Sequence, residues 1–249
     1  MKISRKFVVF ILLCPLLFWS CSNDSNNGNT SNNTVSTDSS SNNTTTDTVV
    51  NNTTSDTTAK IASAVSGNIY VLSKFISTSS SIKNHNGIEF NKDITTKTNN
   101  IITEEYYKDD TLVLKRKVTI NADSTWTYQE NDETPVTITN LNDISDAANK
   151  TRDALKPFSV EHKFNNDKTG VFNNQAITWS VNSDGTVKVS VTMTNPSTKK
   201  EMSASINIHS DDDFATWYFD GGTDVTDVKG DMKLVPEGES QKAWLSKKS

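Results

Sequence analysis

Ser80 and Lys83 have the spacing of a serine nucleophile and its base, because a lysine one helical turn after a serine can take its proton. Lys168-Thr169-Gly170 could supply a companion loop for such chemistry. Ser80, however, lies in a Ser/Thr-rich loop between β patterns, where the required helix is not predicted. The sequence also contains no Gly-x-Ser-x-Gly. We therefore predict that the protein is not an enzyme.

Metal ligands are the next possibility, and the histidines offer little support for them. His85, His162 and His209 are far apart in sequence and show no ligand-type spacing. His162 shares an apolar face with Phe158 and Phe164, which is typical of a partly buried, hydrogen-bonded structural histidine. We expect no metal ligand among the three.

Two acidic loops could attract Ca²⁺, which prefers several carboxylate oxygens. One is Asp211-Asp212-Asp213, and the other contains Asp220, Asp224 and Asp227. Neither has the spacing of a recognised calcium loop, so we interpret them as solvated loop acids. The sequence predicts no metal and no cofactor.

Four aromatic residues in predicted strands are the candidate ligand-binding residues: Trp126, Tyr128, Trp179 and Trp217. They could line a cavity for a small apolar ligand, or they could fill a packed core, which we prefer. Trp217-Tyr218-Phe219 alternates across a strand, so at least one of these rings must face away from Trp217. An exposed ring there would be a candidate contact for a partner.

The N-terminus has the pattern of a secretory signal. Lys2, Arg5 and Lys6 precede an apolar run over residues 7–19. That run is shorter than the roughly 20 residues that span a bilayer core. A short apolar core behind basic residues predicts a cleaved signal peptide over residues 1–20.

The junction Leu17-Phe18-Trp19-Ser20-Cys21 resembles the lipobox of bacterial lipoproteins. Phe18 and Trp19 depart from the commonest residues of that box, in the relaxed form found in spirochaetes. The resemblance implies that Cys21 receives a diacylglyceryl group and becomes the first residue, while Cys14 leaves with the signal. The expected location is the bacterial cell envelope, at the outer membrane or the cell surface, with the lipid anchor holding the protein to the membrane.

Residues 21–58 form the next unit, a tether that begins at the lipidated cysteine. After Cys21 it consists almost wholly of Ser, Asn, Thr and Asp. Such a segment cannot bury enough apolar area to offset its ordering entropy, so we predict a disordered linker. The whole chain has a net charge of −5, and an acidic chain is a poor candidate for nucleic-acid binding.

Residues 59–249 are predicted to form a single β-rich domain, because apolar and polar residues alternate with period two in several segments. Asn182-Ser183-Asp184-Gly185 separates two such segments and predicts a hairpin. Apolar residues at helical spacing predict one amphipathic helix near 142–156, ended by Pro157. The expected fold is mainly all-β: an antiparallel meander of about ten strands, closed into a barrel or strongly curved.

An extended single-layer sheet and a two-sheet sandwich are the alternatives. The arrangement is similar in topology to lipocalin-like barrels, although Gly67-Asn68-Ile69 replaces the Gly-x-Trp usual in that family. Because of that departure, we transfer no binding residue from the lipocalin family to this chain. The leading functional hypothesis is a non-catalytic surface lipoprotein that binds a protein partner or forms a surface coat. The alternative is a carrier of a small apolar ligand inside a lipocalin-like barrel.

Overall fold

The computed structural model describes residues 53–85, 87–195, 198–210, 215–230, 235 and 237–248. The predicted signal peptide, Cys21 and the tether up to residue 52 lie outside these described residues. Two α-helices lie within them, α1 (Thr53–Val65) and α2 (Asp146–Leu155), with a 3₁₀ turn over Lys156–Ser159. The strands in the same residues are β1 (Ile69–His85), β2 (Ile88–Thr98), β3 (Ile101–Lys108), β4 (Thr111–Ile120), β5 (Trp126–Glu130), β6 (Val136–Ile138), β7 (Glu161–Phe164), β8 (Thr169–Phe172), β9 (Gln175–Val181), β10 (Val187–Thr194), β11 (Glu201–Ser210), β12 (Thr216–Asp220), β13 (Val225–Lys229) and β14 (Glu239–Lys247).

Among the described strands, eight close into an antiparallel barrel in the order β1, β7, β8, β9, β10, β11, β12, β14 and back to β1. Closure comes from β14, which pairs with β1 from Tyr70↔Lys247 to Ser79↔Glu239. Closure removes the free edges that an open sheet must protect. The prediction of a mainly β chain built as an antiparallel barrel is confirmed. The described residues contain fourteen strands rather than about ten, because β6, β7, β8 and β13 are too short to show a clear alternation.

Strand β1 belongs to the barrel and also to a second sheet. Its first residues, Ile69–Val71, pair with β7. From Lys74 to Thr78 the same edge pairs with β2 instead, and β3, β4, β5 and β6 follow in order. We call β2–β6 the extension sheet. One continuous sheet therefore runs from the barrel wall into the extension sheet.

The predicted hairpin turn at Asn182–Gly185 joins β9 to β10, and its geometry occurs three times. Asp184 Oδ1 accepts hydrogen bonds from the backbone N–H and the hydroxyl of Thr186, and Gly185 has a positive φ of 87°. Asn121–Thr125 and Asn165–Thr169 form the same turn, each with an aspartate that accepts from a threonine two residues later. The pattern Asn-x-Asp-x-Thr thus marks three hairpins of this fold.

Helix α1 covers one end of the barrel. Its Ile61 and Val65 side chains are each 2% exposed, and Tyr70 donates a hydrogen bond to the carbonyl oxygen of Ala64 at 3.1 Å. The helix starts at Thr53, so the boundary predicted at Ala59 falls inside it. Packing of Ile61 and Val65 against the barrel stabilises the helix, although most of its other residues are polar.

Large side chains fill the barrel interior. Phe164 makes edge-to-face contact with Tyr70 and with Trp179, each with ring centroids 5.8 Å apart. Below α1 lies a void of about 10 Å³ with an apolar lining, formed by Val65, Tyr70, Phe164, Val187, Ile208, Trp217 and Leu245. A water needs roughly 10–15 Å³ and at least two polar partners. This void is therefore too small for a ligand.

Helix α2 packs on the inner face of the extension sheet, against β3, β5 and β6. Ser145 caps it by accepting a hydrogen bond from the Ala148 backbone N–H, which explains why it begins later than the predicted range near 142–156. Ile144 precedes the cap and is 95% exposed. No helix in the described residues is long and apolar enough to cross a membrane.

Candidate functional site

The four predicted ligand-binding residues lie in two separate places. Trp179 and Trp217 are in the barrel core at 3% and 2% exposure, while Trp126 and Tyr128 lie on β5 of the extension sheet. The Trp179 indole donates to the carbonyl oxygens of Asn165 and Thr169 at 3.2 and 3.1 Å. The structure does not bring the four rings around one space, and a ligand-binding role for them stays a prediction.

Ser80 and Lys83 both lie in strand β1 rather than on a helical turn. Ser80 donates its backbone N–H to the carbonyl oxygen of Gly238, and Lys83 Nζ lies 2.9 Å from Glu239 Oε1. These two residues therefore do not form the helical geometry that a serine–lysine pair requires.

His162 is fully buried, and its Nδ1 accepts a hydrogen bond from the backbone N–H of Asn173 at 3.1 Å. Burial lowers the pKa of His162 to about 4, so the imidazole is neutral at pH 7. His209 Nε2 lies 2.9 Å from Asp224 Oδ1. Within the described residues, no three His, Cys, Asp or Glu side chains are grouped to hold a metal, and Asp211–Asp213 lie outside those residues.

Tyr218 points out of the barrel, because its neighbours Trp217 and Phe219 are buried at 2% and 1% exposure. We call this side of the sheet, away from the barrel interior and from α2, the outer face. Register partners on the outer face form a row across six strands. From β12 to β4 the row consists of Tyr218, Trp244, Lys74, Thr96, Thr103 and Lys117.

Lysine side chains lie over the aromatic rings of this row. Lys242 Nζ is 4.4 Å from the Tyr218 ring centroid and 5.2 Å from that of Trp244. Lys74 Nζ is 4.9 Å from the Trp244 centroid, and His209 stacks on Tyr218 at 5.2 Å. A cation–π contact near the protein surface is worth about 0.5–1 kcal/mol. The contacts hold the rings and the ammonium groups side by side on the surface.

The outer face is basic although the whole chain is acidic. On β14 and β1–β4 the described lysines that point outward are Lys74, Lys92, Lys115, Lys117 and Lys242. The carboxylates on or beside this face include Glu105, Asp220 and Asp224. Glu105 Oε1 lies 2.9 Å from Lys115 Nζ, and Asp224 Oδ1 lies 2.9 Å from His209 Nε2. We name the surface from Tyr218 to Lys117 the aromatic–lysine face. Its positive charge contrasts with the net charge of −5.

The opposite, inner face of the extension sheet holds a buried charge cluster, formed by Asp93, Glu104, Arg116, Glu130 and Lys150. Glu130 is its centre, since it accepts hydrogen bonds from Arg116 Nε at 3.1 Å and Lys150 Nζ at 2.8 Å, and also from the Tyr128 hydroxyl. Burial alone would raise the pKa of Glu130. The hydrogen bonds from Lys150, Tyr128 and Arg116 outweigh that effect and lower it to about 2.

The other two carboxyls of the buried charge cluster behave in the opposite way. Burial raises the pKa of Asp93 to about 7, although Lys83 and the nearby Ser77 act against the increase. Burial likewise raises the pKa of Glu104 to about 7, with Arg116 Nη1 4.0 Å away acting against it. The cluster can therefore take up protons near neutral pH.

Alternation predicted that at least one ring of Trp217-Tyr218-Phe219 faces away from Trp217, and in the structure that ring is Tyr218. Neither the aromatic–lysine face nor the buried charge cluster was predicted. A signal for the cluster is present on β4, where Arg116 occupies the same phase as the buried Leu114 and Val118. Glu104 and Glu130 occupy the facing positions on β3 and β5. Charged residues at the apolar phase of three neighbouring strands therefore mark a buried polar network.

Comparison with known proteins adds no relative to these observations. The chain matches no protein-family model, and no curated protein matches it.

Proposed function

We propose that this protein is a non-catalytic lipoprotein of the bacterial envelope that binds a partner through the aromatic–lysine face. In this proposal Cys21 carries the lipid anchor, residues 22–52 hold the domain away from the membrane, and the outer face meets the partner. Trp and Tyr rings contribute strongly to binding when a partner covers them. The observation that carries the proposal is the row of Tyr218, Trp244 and Lys74 on the outer face of the sheet, where each of the three is partly exposed among the described residues.

Lysine footprinting in isolated envelopes tests this function without assuming the chemistry of the partner. Envelopes and the purified chain are acetylated in parallel, and modification is read by mass spectrometry. We expect Lys74 and Lys242 to be less modified in envelopes than in the purified chain. Lys199 and Lys200, exposed in a turn away from the face, serve as controls and should react equally in both samples. Equal modification of all four lysines would contradict the proposal.

A carrier of a small apolar ligand is the second candidate, because a closed eight-stranded barrel is an architecture that holds single small ligands. Against it, Trp179, Phe164 and Tyr70 pack against one another inside the barrel. Native mass spectrometry of the purified chain separates the two candidates. A co-purified small molecule that survives gentle desolvation and dissociates on unfolding would support the carrier.

A further inference from the structure

We propose that the partner of the aromatic–lysine face is an acidic polysaccharide, with its sugar rings on Tyr218 and Trp244 and its acidic groups beside Lys74 and Lys242. This inference rests on the proposed function, since it names the chemistry of the partner for the same face. It goes beyond that function because the face could bind a partner that is not an acidic polysaccharide.

The charge of the face selects an anionic partner. Lys74, Lys92, Lys117 and Lys242 have no carboxylate within 3.5 Å among the described salt bridges, in which Lys92 lies 3.8 Å from Asp110. Asp110 is itself exposed at the end of β3. An ammonium group is a compact charge with three rotatable donors, which suits carboxylate or sulfate groups at irregular intervals along a polymer.

The rings supply the second part of the recognition. The face of an aromatic ring is electron-rich, and the C–H face of a pyranose ring is apolar with slightly positive hydrogens, so the two stack favourably. Tyr218 and Trp244 lie directly opposite each other on neighbouring strands. The ammonium groups of Lys74 and Lys242 already lie near these ring faces at 4.4–5.2 Å. A sugar that stacks on these rings would replace the ammonium groups over the ring faces, and its acidic group would pair with the displaced lysines.

The shape of the surface suits a chain laid across the strands. From Tyr218 to Lys117 the row crosses six strands, and neighbouring strands are about 4.8 Å apart, which gives a length of roughly 24 Å. Thr96 and Thr103 sit in the same row and offer hydroxyls to sugar hydroxyls. The length accommodates several sugar units.

A protein partner fits this surface less well. Protein interfaces are enriched in arginine and depleted in lysine, whereas the described arginines, Arg116 and Arg152, lie in the buried charge cluster and on α2. A peptide strand that adds to a sheet needs an open edge, and this surface is a face of strands that are already paired on both sides. The aromatic–lysine face combines lysines, two aromatic rings and threonine hydroxyls. This combination favours a polysaccharide over a protein partner.

The test uses the full chain purified in non-ionic detergent, with polygalacturonate as the acidic polysaccharide and dextran as the neutral one. Binding is measured by affinity electrophoresis at two salt concentrations. We expect retardation by polygalacturonate, weakened at high salt, and none by dextran. Both Lys74→Gln/Lys242→Gln and Trp244→Leu should weaken binding about tenfold, which corresponds to the loss of one strong contact. Lys199→Gln/Lys200→Gln, the matched control, should bind like the parent.

Three results would overturn the inference: no retardation by polygalacturonate, an equal loss in the Lys199/Lys200 control, or full binding by Trp244→Leu with equal competition by single-stranded DNA. The last result would show a general polyanion surface with no role for the ring. Thermal unfolding of each variant separates a lost contact from a lost fold. If Lys74 and Lys242 are protected in envelopes while polygalacturonate does not bind, the proposed function stands and this inference fails.

Discussion

Arg116 donates its Nε hydrogen to Glu130 Oε2 at 3.1 Å, across neighbouring strands of the extension sheet and out of contact with bulk water on the arginine side. The Arg116 side chain is only 7% exposed, and the Glu130 side chain 20%. A charge in this position is stable only while its partner is present. Glu130 is therefore the main partner of Arg116 in the extension sheet, with Glu104 Oε2 farther away at 4.0 Å from Arg116 Nη1.

Glu130→Gln should lower the free energy of unfolding by about 3 kcal/mol, because it leaves Arg116 and Lys150 without their shared carboxylate. Urea denaturation of residues 22–249 measures the loss. Glu133→Gln, an exposed position in the following turn, is the matched control and should change stability by less than about 0.5 kcal/mol. Similar losses in the two variants would show that the Glu130 network does not stabilise the fold.

Asp93→Asn should stabilise the protein at pH 8 and stabilise it less at pH 5. The folded-state pKa of Asp93 is about 7 against an ordinary value of 3.8, so the folded state binds more protons between these values. By linkage, the contribution of Asp93 to stability is full below pH 4 and is lost as pH rises through 7. Asparagine keeps the neutral form at every pH and avoids that loss.

Thermal unfolding at the two pH values gives the comparison. His162 acts in the opposite direction, since its folded-state pKa of about 4 lies below 6.5 and its contribution falls as pH drops through that window. Because His162 is present in both proteins, its effect cancels when the stability of Asp93→Asn is compared with that of the parent at the same pH. Glu105→Gln on the outer face is the control: the Lys115 contact lowers the pKa of Glu105, so this variant should be destabilised at pH 8. If Asp93→Asn and Glu105→Gln were both stabilised at pH 8, burial of Asp93 could not be the cause of the stabilisation.

Trp179→Ala should cost about 3–5 kcal/mol of unfolding free energy, as truncation of a packed core aromatic does. Trp179 is 3% exposed and donates two hydrogen bonds to backbone carbonyls. Urea unfolding measures the stability, and a parallel fatty-acid titration measures binding of an apolar ligand. A loss of only ~1–2 kcal/mol, together with saturable fatty-acid binding to the parent, would make the carrier the leading function.

Cys21→Ala should abolish incorporation of labelled palmitate and partitioning into detergent, because the proposed function assigns the lipid anchor to the Cys21 thiol. Cys14→Ala should leave both intact, since Cys14 is expected to leave with the signal peptide. Metabolic labelling and phase separation of the two variants provide the measurement. Continued labelling of the Cys21 variant would show that the anchor lies elsewhere.

Alternation and turn chemistry were sufficient to predict the class of fold. Asn182–Gly185 forms the predicted hairpin, and helix α2 lies within the range predicted for a helix. Both features are local, because a turn or an amphipathic helix is encoded by residues a few positions apart. Alternation likewise predicted that one ring of Trp217-Tyr218-Phe219 faces away from Trp217.

The remaining features depend on contacts that are distant in sequence. Helix α1 has a weak local signal, and its burial depends on Ile61 and Val65 meeting barrel strands far along the chain. The row that joins Tyr218 to Lys74 appears only once β14 is known to lie between β12 and β1. Arg116 and Glu130 become partners only through strand register. A period-two pattern determines which residues share a side of one strand, but it does not determine which strands are neighbours.

The pairing of β1 with β14 also has a consequence for biosynthesis. The first barrel strand to leave the ribosome or a secretion channel finds its closing partner only when residues near 239–247 have followed. Until then the inward-facing Tyr70 and Leu72 lack one side of their final surroundings. Pairings between such distant segments form slowly, because a long loop must close first. A nascent chain stalled before β14 would therefore present an open, apolar sheet to chaperones and proteases. This would hold even if the earlier strands had already paired with one another.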